Sequence, residues 1–429
     1  ESYEVSEDGC TYTFKLKEGL KWSDGSPLTA YDFEYSWKRV LDPDVGSETA
    51  YTLYGVIKDG YECYVSKTVA VDDLPIRALD DTTLQVELKA PASYFITLTA
   101  STAFMPVCKA NVEKYGNDWV NTPETYVCNG PFMLAEMKKD ESYTLVKNPN
   151  YYNADEVKID TVKYVFLNAP ETVKMAFDNG EIDIATSVNS DALKAYTGTD
   201  KLMSSDRIGY RYYEFNCSKA PFDDARVRRA LTLALNRKIL TEGILQDATL
   251  PQLYGWVPYG IKDVLDESTD WRDAVGNAFE ENIEEAKALL AEAGYPNGEG
   301  FPTVQLSFYS DDNVKKIAEA IAEMWQTNLG IQVEVTSADW AVFYDAVQAG
   351  EYDVAAMGWS ADYVNPMSFL PLLYTDDVSN NVFYSNKDYD AVVDQIKVEK
   401  DSTKFAELVM QADEIASNEY PVLPLYYKS

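Results

Sequence analysis

The stretch of sequence that decides the fold is Tyr352-Asp353-Val354-Ala355-Ala356-Met357, followed by Gly358-Trp359-Ser360-Ala361-Asp362-Tyr363-Val364-Asn365-Pro366. Its first half is a short apolar run between two glycines, which is typical of a buried strand. We predict that this strand ends at Met357, so that Trp359 and Asp362 follow its carboxyl end. Open-sheet proteins place their ligand sites at such ends.

Two interpretations of these residues stay open at this point. In the structural one, Trp359 is a core residue and Asp362 caps a helix. In the functional one, the indole offers a flat apolar face, Gly358 lets another backbone approach, and Asp362 holds a cationic group such as an ammonium. The main chain of such a ligand could pair with an exposed strand edge.

Composition excludes several classes of function. The chain has 429 residues, which predicts two or three domains, and a formal net charge of −34, which argues against a nucleic-acid partner. It contains no histidine, so Ser-His-Asp and Cys-His catalysis and histidine-ligated zinc are excluded. The five cysteines show no C-x-x-C spacing, and we expect neither a metal nor a cofactor. No apolar run is long enough to span a bilayer.

The first third of the chain combines strands with a capped helix. Alternating residues at 11–16 predict a strand, and Asp80-Asp81 predicts a hairpin turn. Thr29, with Asp32 three residues later, predicts the start of a helix. After the break at 129–131 the pattern changes.

Strands are predicted at 132–137, 143–147 and 162–166, followed by a helix at 171–179 and a short strand at 182–184. This order is similar to βαβ alternation, and it places a domain boundary near residue 135. A helix from Arg226 to Leu235, capped by Asp223 or Asp224, places a second boundary near residue 240.

The last third has the clearest periodicity. It predicts strands at 304–308, 331–335 and 353–357, separated by helices at 314–329 and 340–349. Strands and helices that alternate with short links predict a parallel α/β unit.

Motifs for common enzyme chemistry are absent from the sequence. There is no phosphate-binding G-x-x-x-x-G-K-[ST], no G-x-G-x-x-G and no G-x-S-x-G. A glycosidase would need two carboxylates close together, such as Asp353 and Asp362 near Trp359. These two flank the predicted strand and should lie too far apart, so we expect no enzyme.

The order of several motifs resembles that of the family 5 extracellular solute-binding proteins, the peptide-binding components of ABC importers. The motifs are YTFKLKEGLKWSDGSPLTAYD at 12–32, NGPF at 129–132, KNPNYY at 147–152, GEID at 180–183, PFDDARVRRAL at 221–231 and GWSADY at 358–363. The likeness runs from about residue 8 to the end and is greatest to the oligopeptide-binding branch.

The resemblance implies an α/β, two-lobed periplasmic-binding-protein fold of type II with an extra inserted α+β domain. Residues 1–135 would be the inserted domain, 136–240 part of the first lobe, and 241–429 the second lobe. Family members carry further segments before and after this range, so we expect the chain to be trimmed at both ends.

The resemblance also implies site residues in a cleft between the lobes. Asp362 would bind the peptide ammonium, and the backbone around Gly358, Ser360 and Asn216 would pair with the ligand as an added strand. Trp340 and Trp359 would line pockets for its side chains, with water filling the remaining space.

The sequence also departs from the family pattern at single residues, and the first departure concerns how the carboxyl end of a ligand is held. The arginines that bind the peptide carboxylate in the enteric oligopeptide binder are replaced by Val347 and Ala356, and residues 307–312 lack the arginine of dipeptide binders. Ser360 replaces a cysteine that forms a disulfide there. Cys108 and Cys128 fall in segments expected to lie close together, and we predict a disulfide between them.

By resemblance, the function is capture of oligopeptides outside the cytoplasm, in the periplasm or on the outer face of the membrane, and delivery to the permease subunits of an ABC transporter. We expect a monomer that is held at the membrane only through a lipid anchor outside this chain. The alternatives are a binder of opines, oligosaccharides or metal complexes, and a peptide-sensing receptor.

Overall fold

The chain was analysed as a computed structural model, which divides into two compact units, Glu1–Asn189 and Ser190–Ser429. The structure describes residues 1–92, 94–186, 194–203, 208–247, 250–261, 265, 268–375 and 377–427. The boundaries near 135 and 240 stay a prediction about lobe organisation. They do not coincide with the division between the two units.

The first unit is built on two antiparallel sheets, with strand orders β1-β2-β4-β3 and β5-β6-β7. Its strands are β1 Ser2–Val5, β2 Thr11–Lys15, β3 Ile76–Asp80, β4 Thr83–Glu87, β5 Phe132–Lys138, β6 Ser142–Lys147 and β7 Thr161–Val165. Its helices are α1 Ala30–Val40, α2 Tyr51–Tyr54, α3 Gly60–Tyr64, α4 Phe95–Leu98, α5 Lys109–Tyr115 and α6 Pro170–Asp178.

Two local predictions for the first unit are confirmed, the start of helix α1 and the hairpin near residue 80. Thr29 and Asp32 form the predicted capping box at the start of α1, and β3 and β4 form the predicted hairpin. The predicted βαβ alternation after residue 131 is wrong, because residues 182–184 form no strand after α6, and because β5, β6 and β7 form an antiparallel meander. The link from β5 to β6 is too short for the crossover that parallel strands require.

The predicted disulfide between Cys108 and Cys128 is not formed. Both residues are free cysteines, and the Cys128 thiol donates to the carbonyl oxygen of Phe132 at 3.3 Å. Burial raises the pKa of both thiols. The sequence could suggest that the two segments are neighbours, but it could not give the distance between the two sulfur atoms.

The second unit is a five-stranded sheet of order β10-β9-β11-β8-β12 with helices around it. Its strands are β8 Gly209–Phe215, β9 Val304–Tyr309, β10 Val333–Ala338, β11 Val354–Ser360 and β12 Val422–Tyr427. Its helices are α7 Ala225–Leu233, α8 Trp271–Val275, α9 Ile283–Glu292, α10 Asp312–Leu329, α11 Trp340–Gln348, α12 Lys387–Val398 and α13 Ser402–Glu419.

The predicted parallel α/β segment is confirmed, since β9 pairs in parallel with both β10 and β11. On the other side of β11, however, β8 and β12 add antiparallel pairs, so the sheet is mixed. The core includes Leu306, Val354 and the indole of Trp325, whose ring nitrogen donates to the Leu231 carbonyl at 2.8 Å. Among the described residues, no helix is both long and apolar enough to cross a bilayer.

Candidate functional site

Strand β11 extends further than the sequence predicted. It continues through Gly358 and Trp359 to Ser360, which pair with Arg211, Tyr210 and Gly209 of β8. The expected end at Met357 is therefore wrong. An antiparallel partner more than a hundred residues earlier supplies the hydrogen bonds, and local sequence cannot reveal such a partner.

On its other edge, β11 pairs with β9 only over its first two residues. Only Val354 and Ala355 pair with β9, at Leu306 and Ser307, although β9 continues to Tyr309. We call the region bounded by β9 after Ser307 and β11 after Ala355 the fork. All residues on both sides of the fork are described, and no register pair joins the strands there.

Gly358, on the part of β11 that borders the fork, leaves space for the side chain of Arg211. A Cβ atom at Gly358 would lie 3.1 Å from both Cδ and Nη1 of Arg211 and 3.0 Å from the carbonyl oxygen of Tyr210. A larger residue would therefore crowd the Arg211 side chain, which would have to shift by a few tenths of an ångström. The side-chain contact at Gly358 is thus with Arg211, and the approach of a ligand backbone to Gly358 stays a prediction.

The guanidinium of Arg211 crosses from β8 over β11 to the end of β9. Its Nη1 donates to the hydroxyl of Tyr309 at 2.5 Å. Tyr309 in turn packs edge-on against Trp340, with ring centroids 5.2 Å apart, and Trp340 stacks on Tyr344 at 5.3 Å. Trp340, the first residue of α11, keeps 52% of its surface exposed. These contacts connect Trp340 to Gly358.

Burial keeps the phenols beside Arg211 in the protonated form. It raises the pKa of Tyr309, against the opposing effect of the guanidinium. It also raises the pKa of Tyr426, the β12 residue opposite Arg211, to about 12. Both hydroxyl groups therefore carry a proton at neutral pH.

Asp362 lies two residues beyond β11 in an anchored loop. It is half-buried, and its backbone N–H donates to the hydroxyl of Ser368 at 2.9 Å. The preceding N–H, of Ala361, donates to the carbonyl of Ile208 at 2.6 Å. Asp362 thus follows the carboxyl end of β11, near the half-buried Trp359 and the exposed Ser360.

Asn216 lies far from Trp359, Ser360 and Asp362. Phe215 pairs with Val354 and Gly209 with Ser360, so Asn216 lies at the opposite end of β11, roughly 20 Å from Ser360 at 3.3 Å per residue. Its side chain donates to the carbonyls of Gly350 and Tyr352.

The backbone of Asn216 is also engaged within the second unit. Its N–H donates to Asp353 and its carbonyl accepts from Lys219. The residue thus stabilises this loop, and its role toward a ligand stays a prediction.

Asp353 and Asp362 are unsuited to joint acid–base chemistry. Asp353 directly precedes β11, where it pairs with Lys219 and accepts from the N–H of Gln305 at 2.9 Å. The seven residues of β11 lie between the two carboxylates, roughly 20 Å of strand, whereas glycosidases need about 5–9.5 Å. Within the described ranges, no group of three Cys, Asp or Glu residues is arranged to hold a metal ion.

Sequence reasoning missed Arg211 and Tyr309. The available signal was a single arginine in the aromatic stretch YRYYEF at 210–215. Its meaning depends on Gly358 and Tyr309, which lie 147 and 98 positions further along the chain.

The family model described as "Bacterial extracellular solute-binding proteins, family 5 Middle" matches residues 1–381. The oligopeptide-binding protein OppA of Bacillus subtilis (strain 168) is 35% identical over 430 residues, which cover 99% of this chain and 78% of that protein.

Two solved structures are similar over the whole chain. The periplasmic oligopeptide-binding protein OppAIV of Borrelia burgdorferi has a TM-score of 0.85 and 33% identity, and the match covers 84% of that chain. The Haemophilus influenzae OppA in complex with the peptide RPPGFSPFR has a TM-score of 0.83 and 28% identity, with 83% of that chain covered. The two-lobed α/β fold of type II that the sequence implied is thereby confirmed.

Proposed function

The chain belongs to the bacterial extracellular solute-binding proteins of family 5, and from this premise we propose that it captures oligopeptides outside the cytoplasm and delivers them to the permease subunits of an ABC importer. A relative of 35% identity is an oligopeptide-binding protein, and a structural neighbour holds a nonapeptide. The site residues are our own proposal and follow from the second unit.

The observation that carries the binding mode is the fork. Beyond Ala355, the edge of β11 that faced β9 has no further register pair with it. An extended peptide supplies the alternating N–H and C=O groups that such an edge needs, because main-chain pairing is how sheets recognise peptides of varied sequence. We place the ligand backbone beside Ala356, Met357 and Gly358.

Asp362 is positioned to bind the amino end of this peptide. It follows the strand in a loop whose backbone is anchored by Ser368 and Ile208, and a half-buried carboxylate attracts an ammonium more strongly than an exposed one does. Trp359 and the exposed ring of Trp340 supply apolar surface for peptide side chains. Asn216 is less well placed to bind the peptide, because it lies at the other end of β11 and its side chain already donates to the carbonyls of Gly350 and Tyr352.

We further propose that the chain acts by binding alone and catalyses no reaction. The sequence contains no histidine, and its candidate carboxylate pair is separated by the length of β11. The family is one of solute binders.

The proposal is tested by native mass spectrometry of the protein with the ligands that co-purify with it, followed by sequencing of any released peptides. Calorimetric titration of the unfolded and refolded, ligand-free protein with the peptides identified then gives their affinities. We expect peptides with free amino termini and varied side chains.

N-acetylated versions of the same peptides are the matched control. We expect them to bind at least tenfold more weakly, because acetylation removes the charge that Asp362 binds. Release of a sugar, an opine or a metal complex in place of peptides would reject the proposal. Equal affinity for free and acetylated peptides would reject only the role of Asp362.

A further inference from the structure

We propose that Arg211 binds a carboxylate of the ligand, and that it thereby selects for peptides with a free carboxyl terminus or an acidic side chain near the fork. This inference rests on the proposed function and adds to it. The two arginines expected by resemblance are absent at Val347 and Ala356. Arg211, on the adjacent strand, supplies a positive charge at the place where the ligand backbone is expected.

The position of the guanidinium is fixed by three strands. Arg211 starts on β8, passes over Gly358 of β11 with its Cδ and Nη1 3.1 Å from the Cβ position there, and reaches Tyr309 of β9. The side chain therefore spans the fork. A peptide that adds to β11 beyond Ala355 lies beside the guanidinium.

No ion pair of Arg211 is formed with the residues that the structure describes. Among the described residues, no carboxylate lies within 4.0 Å of it, and the hydroxyl of Tyr309 accepts its one side-chain hydrogen bond. An arginine has five N–H donors, so most remain available. In a chain with 71 acidic and 37 basic residues, a half-buried arginine without a carboxylate partner leaves a site for an added anion.

Asp311, an acidic residue close to Tyr309, does not fill this role. Asp311 influences the pKa of Tyr309, but its carboxylate caps helix α10, where one oxygen accepts from the N–H groups of Asn313 and Val314 at 2.9 Å each. Its charge is directed toward the start of the helix. Asp311 therefore leaves the charge of the Arg211 guanidinium available to a ligand carboxylate.

Tyr309 adds a second donor to the same site. Because its oxygen accepts from Arg211, its own hydroxyl proton is free to point elsewhere, and burial keeps that proton bound. A guanidinium and a phenol side by side match the two oxygens of a carboxylate. The chemical class of the ligand group is therefore a carboxylate, from the chain terminus or from Asp or Glu.

The distance to Asp362 sets the length of peptide that can use both charges. Asp362 lies four positions after Gly358 in the sequence, which is at most about 14 Å of extended chain. A tripeptide or tetrapeptide has a similar reach between its amino and carboxyl groups. Longer peptides would place an internal acidic side chain at Arg211.

The test uses mixed-sequence tetrapeptides with free amino termini in three forms: C-terminal acids, C-terminal amides without acidic residues, and amides with glutamate at the fourth position. Peptides captured by the refolded protein are quantified by mass spectrometry. For the wild-type protein we expect the acids to be enriched about 10- to 100-fold over the plain amides, which corresponds to one charge-assisted pair. The glutamate amides distinguish a side-chain carboxylate from a terminal one.

In Arg211→Gln the enrichment should fall to about one, while in Arg77→Gln, which removes the same charge from strand β3 of the first unit, it should not change. Tyr309→Phe keeps the charge and should lower the enrichment about threefold to tenfold. Unchanged enrichment in Arg211→Gln and Tyr309→Phe would overturn the inference but leave peptide binding intact. If the wild-type protein captured none of the three libraries, the proposed function itself would fail.

Discussion

The side chain of Arg211 lies directly over Gly358, with Arg211 Cδ and Nη1 both 3.1 Å from the place where a Cβ atom would stand. The two residues pair across β8 and β11. The absence of a side chain at one position thus determines the path of the arginine at the other, and through it the charge at the fork.

Gly358→Ala should displace the guanidinium from Tyr309. The added methyl group also meets the backbone oxygen of Tyr210 at 3.0 Å, which cannot move as a side chain can. We expect the preference for tetrapeptide acids over amides to fall about tenfold and the free energy of unfolding to fall by about 1–2 kcal/mol. Peptide capture and urea denaturation measure the two effects.

Gly130→Ala is the control for this prediction. A Cβ atom at Gly130 would meet nothing within 4 Å, so stability and selectivity should remain unchanged. If Gly358→Ala also left stability and selectivity unchanged, the close contact between Gly358 and Arg211 would not matter for ligand binding.

Asp362→Asn should remove most of the affinity for peptides with a free amine. The substitution keeps the size of the side chain but loses the charge, so we expect a loss of about 10- to 100-fold, measured by calorimetry. N-acetylated peptides, which lack the ammonium, should bind the wild-type protein and the variant alike. Equal affinity of both proteins for the free-amine peptide would exclude an ion pair at this position.

The ion pair between Arg272 and Asp413 should be important for the stability of the second unit. One oxygen of Asp413 lies 2.9 Å from the guanidinium and also accepts from the backbone N–H groups of Trp256 and Val257. Both charged side chains are almost fully buried. Asp413→Ala would leave a buried guanidinium and two backbone donors without this acceptor, and we expect a loss of about 3–5 kcal/mol.

Chemical denaturation of Asp413→Ala measures this loss, and Glu284→Ala is the control. Glu284 pairs with Lys287 at 2.9 Å, but its side chain is 86% exposed, so its removal should cost less than about 1 kcal/mol. Losses of similar size in the two variants would contradict the structural role of the buried pair.

Glu214 should make the protein less stable as the pH rises. Full burial raises the pKa of its carboxyl to about 8, although the hydroxyl of Tyr212, 3.3 Å from Oε1, opposes the shift. Because the folded-state pKa exceeds the unfolded value, the folded protein holds more protons between about pH 4.5 and 8. Stability contributed by the neutral acid is therefore present below this range and is lost as the pH rises through it.

Glu214→Gln should remove this dependence. The stability of the variant relative to the wild-type protein should increase by about 1.4 kcal/mol per pH unit across the range, and should level off above it. Urea denaturation from pH 4 to 9 measures the difference, with the exposed Glu284→Gln as the control. A difference that stays constant with pH would show that Glu214 is already ionised in the folded protein.

The sequence predicted well those features that depend on neighbouring residues. The capping box of Thr29 and Asp32 and the helix α10 follow from local spacing, and the structure contains both. Predictions that depended on distant partners did less well. The end of β11 was placed three residues early because β8, which pairs with it, could not be recognised as its neighbour.

The sequence by itself determined the family, the α/β class, the exclusion of histidine chemistry and the stretch that carries Gly358, Trp359 and Asp362. Periodicity and motif order are properties of residues close together in the chain, so they can be read without coordinates. Tertiary structure alone decided that the Cys108 and Cys128 thiols remain free, that Asn216 lies at the far end of β11, and that Arg211 reaches Tyr309 across Gly358. Each of these depends on a distance of a few ångströms between residues far apart in sequence, and only the packing of the folded chain sets such distances.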